Sequence, residues 1–182
     1  REVHISGGIR VLSYDRSCNF LYPGDMTGER TAIEVQNYTS LFSDIRRLGL
    51  EVVGCDFFKG AHSHARPEWR IKPSSGSGWL TWDQGRDWSF IANGAFKKGD
   101  SKLYDIATRI SHQLRSCEWR VRQLSESYMD QLNAKLQSGD FKDGQRFLDG
   151  FTELCYLAAQ TFLIDACTLR DYLIEFYWHV KR

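Results

Sequence analysis

Arg66, Trp69, Arg70 and Lys72 interleave basic and aromatic side chains within one short segment. That mixture suits single-stranded nucleic acid, because cations hold phosphates while an indole stacks on a base. Arg46-Arg47 and Lys97-Lys98 would widen such a patch. His62-Ser63-His64 would point two imidazoles the same way from an extended segment, with Cys55 and Asp56 just upstream. Zinc needs three or four ligands, and this cluster offers no clear spacing for the rest. Asp165 is different in kind, a carboxylate on an apolar stripe between Phe162, Ala166 and Leu169. Such a group must be paired or carry a raised pKa. An interhelical ion pair with Arg109 or Arg120 is the expected arrangement, and a catalytic acid is the alternative. The sequence holds no nucleophile elbow, P-loop or dinucleotide fingerprint.

A second set of residues matters through a resemblance. Pro23-Gly24-Asp25, then Glu34-Val35-Gln36 on a strand, then a helix and a further strand to residue 58 resembles the core of the PD-(D/E)xK nuclease superfamily. The resemblance implies that Asp25 and Glu34 bind Mg²⁺, which polarises a phosphate and makes hydroxide accessible. Gln36 would stand where the family has its lysine, and Asp15 competes with Asp25 for the first role. No cofactor is expected outside this reading. The paired helices after residue 100 also resemble HEPN-type bundles, whose RNA-cleaving members place four to six residues between an Arg and a His. Arg170 and His179 have eight residues between them, and Arg109 and His112 have two. That resemblance therefore implies a bundle without that active site.

The elements that would position these residues begin as a sheet. Val3 to Ser6 and Ile9 to Tyr14 flank Gly7-Gly8, whose freedom to take positive φ suits a hairpin turn. Residues 15–30 are dense in Asp, Asn, Pro and Gly and are expected to be loop. Thr31 to Gln36 alternates as a strand. A helix over 38–49 follows, with Leu41, Phe42, Ile45 and Leu48 as its apolar face, Asn37 or Thr39 as cap and Gly49 at its end. Leu50 to Phe58 is expected to be a buried strand. Ser74-Ser75-Gly76-Ser77-Gly78 marks a loop or boundary. Trp79 to Trp82, Asp87 to Ala92 and Ala95 to Lys98 are expected as three strands, with Asn93-Gly94 turning the last hairpin.

Beyond residue 100 the apolar rhythm changes. Leu103, Ala107, Ile110, Leu114, Cys117, Val121, Leu124 and Tyr128 recur at steps of three and four, which predicts a long helix starting at Asp100 or Ser101. A second helix from near Gln145 to the end is apolar over a wider arc, which predicts packing on more than one side. The fold class expected is α+β, with an N-terminal antiparallel-rich sheet carrying one short helix, then a hairpin of two long helices. Residues 1–99 and 100–182 are the expected domains.

Composition narrows the function. Net charge is +1 over 182 residues, so any nucleic-acid or membrane attraction must be local. Five widely spaced cysteines without a C-x-x-C argue against a disulfide framework and point to a reducing, cytoplasmic setting. The apolar run from Cys155 to Leu169 is too short to span a bilayer. Helices longer than the sheet predict a non-catalytic interaction module. It would self-associate or dock a larger partner through Leu114, Val121, Leu124, Phe162, Leu169 and Phe176. A metal-dependent nuclease and a nucleic-acid-binding protein are the alternatives.

Overall fold

The computed structural model describes residues 2–14, 17–23, 31–34, 38–57, 68–71, 84–137 and 149–181. Six strands form one antiparallel sheet: β1 (Glu2–Ile5), β2 (Arg10–Tyr14), β3 (Ser17–Leu21), β4 (Thr31–Glu34), β5 (Val52–Phe57) and β6 (Glu68–Ile71). Their order across the sheet is β4-β3-β2-β1-β5-β6. The expected first hairpin is present. Gly7 and Gly8 have φ of 79° and 77°, left-handed values that a side chain resists, and His4 pairs with Arg10 across the turn. Residues 17–21 correct the loop expected over 15–30. Cys18 is fully buried there, so an inward-facing thiol outweighs the turn-forming neighbours.

The two faces of the sheet are chemically unlike. Val3, Ile5, Val11, Cys18, Val52 and Cys55 form one apolar core with Leu41, Phe42 and Ile45 of α1 (Tyr38–Arg47). Gly49 ends that helix at φ 74°, the expected stop. Along β1 the period of two sends Glu2 and His4 to the opposite face, which meets α3 (Ser101–Gln137). Trp69 lies across Gly54 on the neighbouring strand. A Cβ on Gly54 would sit 2.4 Å from the indole carbons, so only glycine lets the ring lie there.

Asp100 caps α3, its Oδ1 accepting the Leu103 amide at 2.9 Å. At 1.5 Å per residue the 37 residues of α3 span about 55 Å, far more than the strands beside it. Two partners share that length. The sheet takes the second half, from Arg122 to Leu132. The first half is taken by α2 (Gln84–Lys97), which overturns the strands expected at Asp87 to Ala92 and Ala95 to Lys98. Buried Gly85, Ala92 and Ala95 recur at helical spacing, and small side chains let α2 lie close to Ile106, Ala107, Ile110 and Ser111. Ser89 and Ser111 hydroxyls meet at 2.9 Å in that seam. This shared face outweighs the turn signal of Asn93-Gly94. Trp79 to Trp82 lies outside the described residues.

The last element, α4 (Gly150–Lys181), runs antiparallel along α3. Asp149 caps it by accepting the Thr152 amide at 2.9 Å. Polar ties stitch the pair: Gln131 to Thr152 at 3.1 Å, Arg120 to Asp165 at 2.8 Å, and Arg109 to Glu175 at 2.9 Å. Asp165 is thus the paired carboxylate expected, with Gln113 as a second donor at 2.9 Å. The α+β class with its two long C-terminal helices stands as read.

The helix at 84–97 is checked by Gly94→Ala. An added Cβ there meets nothing within 4 Å, so the change should stabilise by about 0.5–1 kcal/mol in urea titrations. Destabilisation of that size would restore the hairpin.

Candidate functional site

The densest group of buried polar chemistry lies between the sheet and the second half of α3. Asp56 on β5 is fully buried, and the Arg122 guanidinium grips it from α3 in two parallel hydrogen bonds, Nε to Oδ1 and Nη2 to Oδ2, both 2.9 Å. Bidentate geometry makes this the strongest polar contact available to a carboxylate. Arg122 also reaches Glu126 at 2.7 Å, one turn along. His4 on β1 is sandwiched here at 1% exposure. Its Nε2 lies 3.3 Å from Asp56 Oδ2, its Nδ1 lies 3.3 Å from Ser125 Oγ, and its ring tilts against Trp69 at 4.8 Å. A carboxylate only accepts, so Nε2 carries the ring proton and Nδ1 accepts from the Ser125 hydroxyl. The Nε2 contact is close but poorly aligned for a hydrogen bond. Buried Arg10 on β2 sends Nε to the Met129 sulfur at 3.1 Å.

Burial disfavours charge on each of these groups, and pairing decides which of them stay ionised. For Asp56, burial pushes the pKa up, but the close approach of His4 and the hydrogen bonds from Arg122 more than offset it and leave the carboxyl below its ordinary value. For His4 the burial wins, assisted by nearby Arg10, and the imidazole pKa falls below its ordinary value despite Asp56. Arg10 is likewise pulled down by burial, whereas Arg122 is raised by its bonds to Asp56.

Ser125, His4 and Asp56 follow the order of a hydrolytic relay, but the arrangement lacks its chemistry. Arg122 shares the Asp56 carboxylate, burial holds the His4 pKa below its ordinary value despite that carboxylate, and the imidazole is sealed from any substrate. Glu2, His4 and Asp56 place ligand atoms within 4.8 Å of one another. A divalent cation there would face the Arg122 guanidinium already bonded to Asp56 and the charge of Arg10. Three ligands under two cations do not fit a metal. The cluster is a joint that fixes the sheet on α3.

The residues singled out in the sequence fall elsewhere. Asp25, Gln36, Arg66 and Lys72 lie outside the described residues, as do Asp15, His62 and His64, and Glu34 ends β4. Trp69 is buried against His4 and offers no open ring face to a base, while Arg70 pairs with Glu68. Cys55 and Asp56 point to opposite faces of the sheet, so they cannot share the ion suggested by their adjacency. Leu114, Val121, Leu124, Phe162, Leu169 and Phe176 are all half-buried, and Phe176 meets Trp88 of α2 edge-on at 4.8 Å. His4, Arg10 and Arg122 were missed. Their signal was present in the polar alternation of Glu2 and His4 with Val3 and Ile5, and in Asp56 inside an otherwise apolar strand.

A second feature is the outer surface of α4. Of this helix only Thr152 and Ala158 are fully buried. Tyr156, Leu163, Ile164, Ile174, Tyr177 and Trp178 are 48–69% exposed. Beside them an open groove of about 520 Å³ runs between Ala166 and Trp178. No described helix is long and apolar enough to cross a membrane. In comparisons with protein-family profiles, curated proteins and solved structures, the chain finds no match.

Two measurements check the joint. Asp56→Asn strands Arg122 and should cost about 3–5 kcal/mol in urea unfolding. A loss below about 1 kcal/mol would mean that Arg122 simply turns to Glu126 and that the clasp is dispensable. The pH dependence follows from His4. Its folded pKa is depressed, so below about pH 6.5 the unfolded chain takes up a proton that the folded chain refuses. Stability should therefore fall as pH drops from roughly 7 to 5, and His4→Gln should flatten that slope. The Asp56 contribution is present above the ordinary carboxylate range and is lost only at more acid pH. An unchanged slope in His4→Gln would place the titration elsewhere.

Proposed function

We propose that this protein is a non-catalytic assembly module that docks a further chain on the outer face of α4. One observation carries the reading: bulky apolar side chains line the side of α4 turned away from α3. An exposed apolar surface of this extent marks an interaction site. A helix whose apolar residues spread around its girth is built to be covered on more than one side, and among the described residues α3 with α2 covers only one. The buried joint between sheet and α3 supports the same role, since it holds the helical layer rigid and presents no reacting group.

Lysine substitutions at Leu163 and Ile174 test this. These side chains are 62% and 48% exposed. If they serve an interface, the double variant should keep its helical circular dichroism and its thermal midpoint, because surface changes usually fall within about 0.5 kcal/mol. Self-association, or binding of a hydrophobic dye by the free chain, should fall sharply. Loss of the folded state, at the roughly 2–5 kcal/mol expected of core leucines, would show that these residues are internal packing and remove the proposal.

A further inference from the structure

We infer that the chain docked on α4 is a second copy of this protein, laid antiparallel about a two-fold axis at Cys167. This rests on the docking role proposed above and names its occupant. The outer face of α4 is self-complementary when reversed about that point. Cys167 is exposed and lies midway between Glu153 and Lys181, both also exposed, at the two ends of the helix. It is equally midway between Tyr156 and Trp178, and between Gln160 and Ile174. At 100° per residue all of these positions fall on the side of α4 facing away from Asp165, Leu169 and Tyr172, which face α3.

Reversal sets each Glu153 against the partner's Lys181 and each Tyr156 against the partner's Trp178. Glu153 has no ion-pair partner among the described residues, and Lys181 lies over the Tyr177 ring at 5.1 Å. In the middle of the face Arg170 and Asp171 neutralise one another at 2.8 Å and would lie against the partner's Ile164 and Leu163, so no like charges oppose there. A parallel pairing would instead oppose Glu153 to Glu153 and Lys181 to Lys181, with the helix dipoles aligned. The antiparallel one opposes unlike charges and unlike dipole ends.

Size is consistent with a stable pair. The 32 residues of α4 make a contact line about 48 Å long. Tyr156, Tyr177 and Trp178, each more than half exposed, would contribute roughly 100 Å² apiece. With Leu163, Ile164 and Ile174 at a similar area each, the total is about 600 Å² per partner, the lower end of a standard interface. An isologous contact of this kind closes at two copies.

Light scattering on the full chain should give twice the 21.1 kDa mass of one copy. A short bismaleimide should link the copies through Cys167, and Cys167→Ser should abolish the link without altering the mass. Orientation is read in the Cys167→Ser background, with circular dichroism confirming that each variant is folded. Chains carrying Glu153→Cys mixed with chains carrying Lys181→Cys should cross-link to each other, and Lys181→Cys alone should not. Self-linking of Lys181→Cys would overturn the antiparallel arrangement, as would a dimer that Cys167 does not link, and both would leave the docking role standing. A monomer throughout the micromolar range would overturn the second copy as occupant. The lysine substitutions at Leu163 and Ile174 still read the docking role separately, through dye binding by the monomer.

Discussion

The ionic clasp of Asp56 by Arg122 is the constraint on which the architecture turns. It joins the interior strand β5 to α3 at a point where neither partner meets water freely. Breaking such a pair leaves a buried charge with no compensation, whereas forming it gains little over a well-packed apolar contact. Its value is therefore in orientation. The two parallel hydrogen bonds fix the guanidinium plane to the carboxylate plane, and so fix the rotation of α3 about its own axis. Once that rotation is set, Ser125 meets His4, Met129 meets Arg10, and the stripe carrying Ile106, Ala107 and Ile110 turns toward α2.

From that follows the division of labour along α3. A helix of this length cannot be covered by strands of four to six residues. The chain solves this with two unrelated layers laid end to end on one side of α3 and a single helix on the other. Small residues make the α2 seam close, hydrogen-bonding groups make the sheet seam specific, and spaced ion pairs set the register of α4. Asp165 illustrates the last device. A carboxylate in an apolar stripe is costly unless paired, so Arg120 and Gln113 together admit only one longitudinal position of α4 against α3.

How much of this was legible in the sequence depended on the length of each signal. The two long helices were plain, because steps of three and four persist through many turns and no short-range preference competes. The first hairpin was plain because two adjacent glycines leave few other conformations. The α2 helix was hidden: Trp88, Phe90, Ile91 and Phe96 favour strands, Asn93-Gly94 favours a turn, and the deciding contact lies with residues around 110. The joint was hidden for a related reason. Glu2, His4 and Arg10 on the first hairpin lie far along the chain from Asp56 and from Arg122, and each alone looks like an ordinary solvated group. Only the strand order brings them together.

The chemistry of the sheet's two faces also sets how its layers come apart. Lifting α1 away would wet leucine, isoleucine and phenylalanine side chains and raise the heat capacity, as apolar exposure does. Lifting α3 away would wet carboxylates, guanidinia and an imidazole along with Trp69, and the polar exposure offsets part of that rise. The α1 parting thus responds more strongly to cooling. Near freezing, where the aversion of oil for water fades, the α1 side softens first while the charged side keeps its grip.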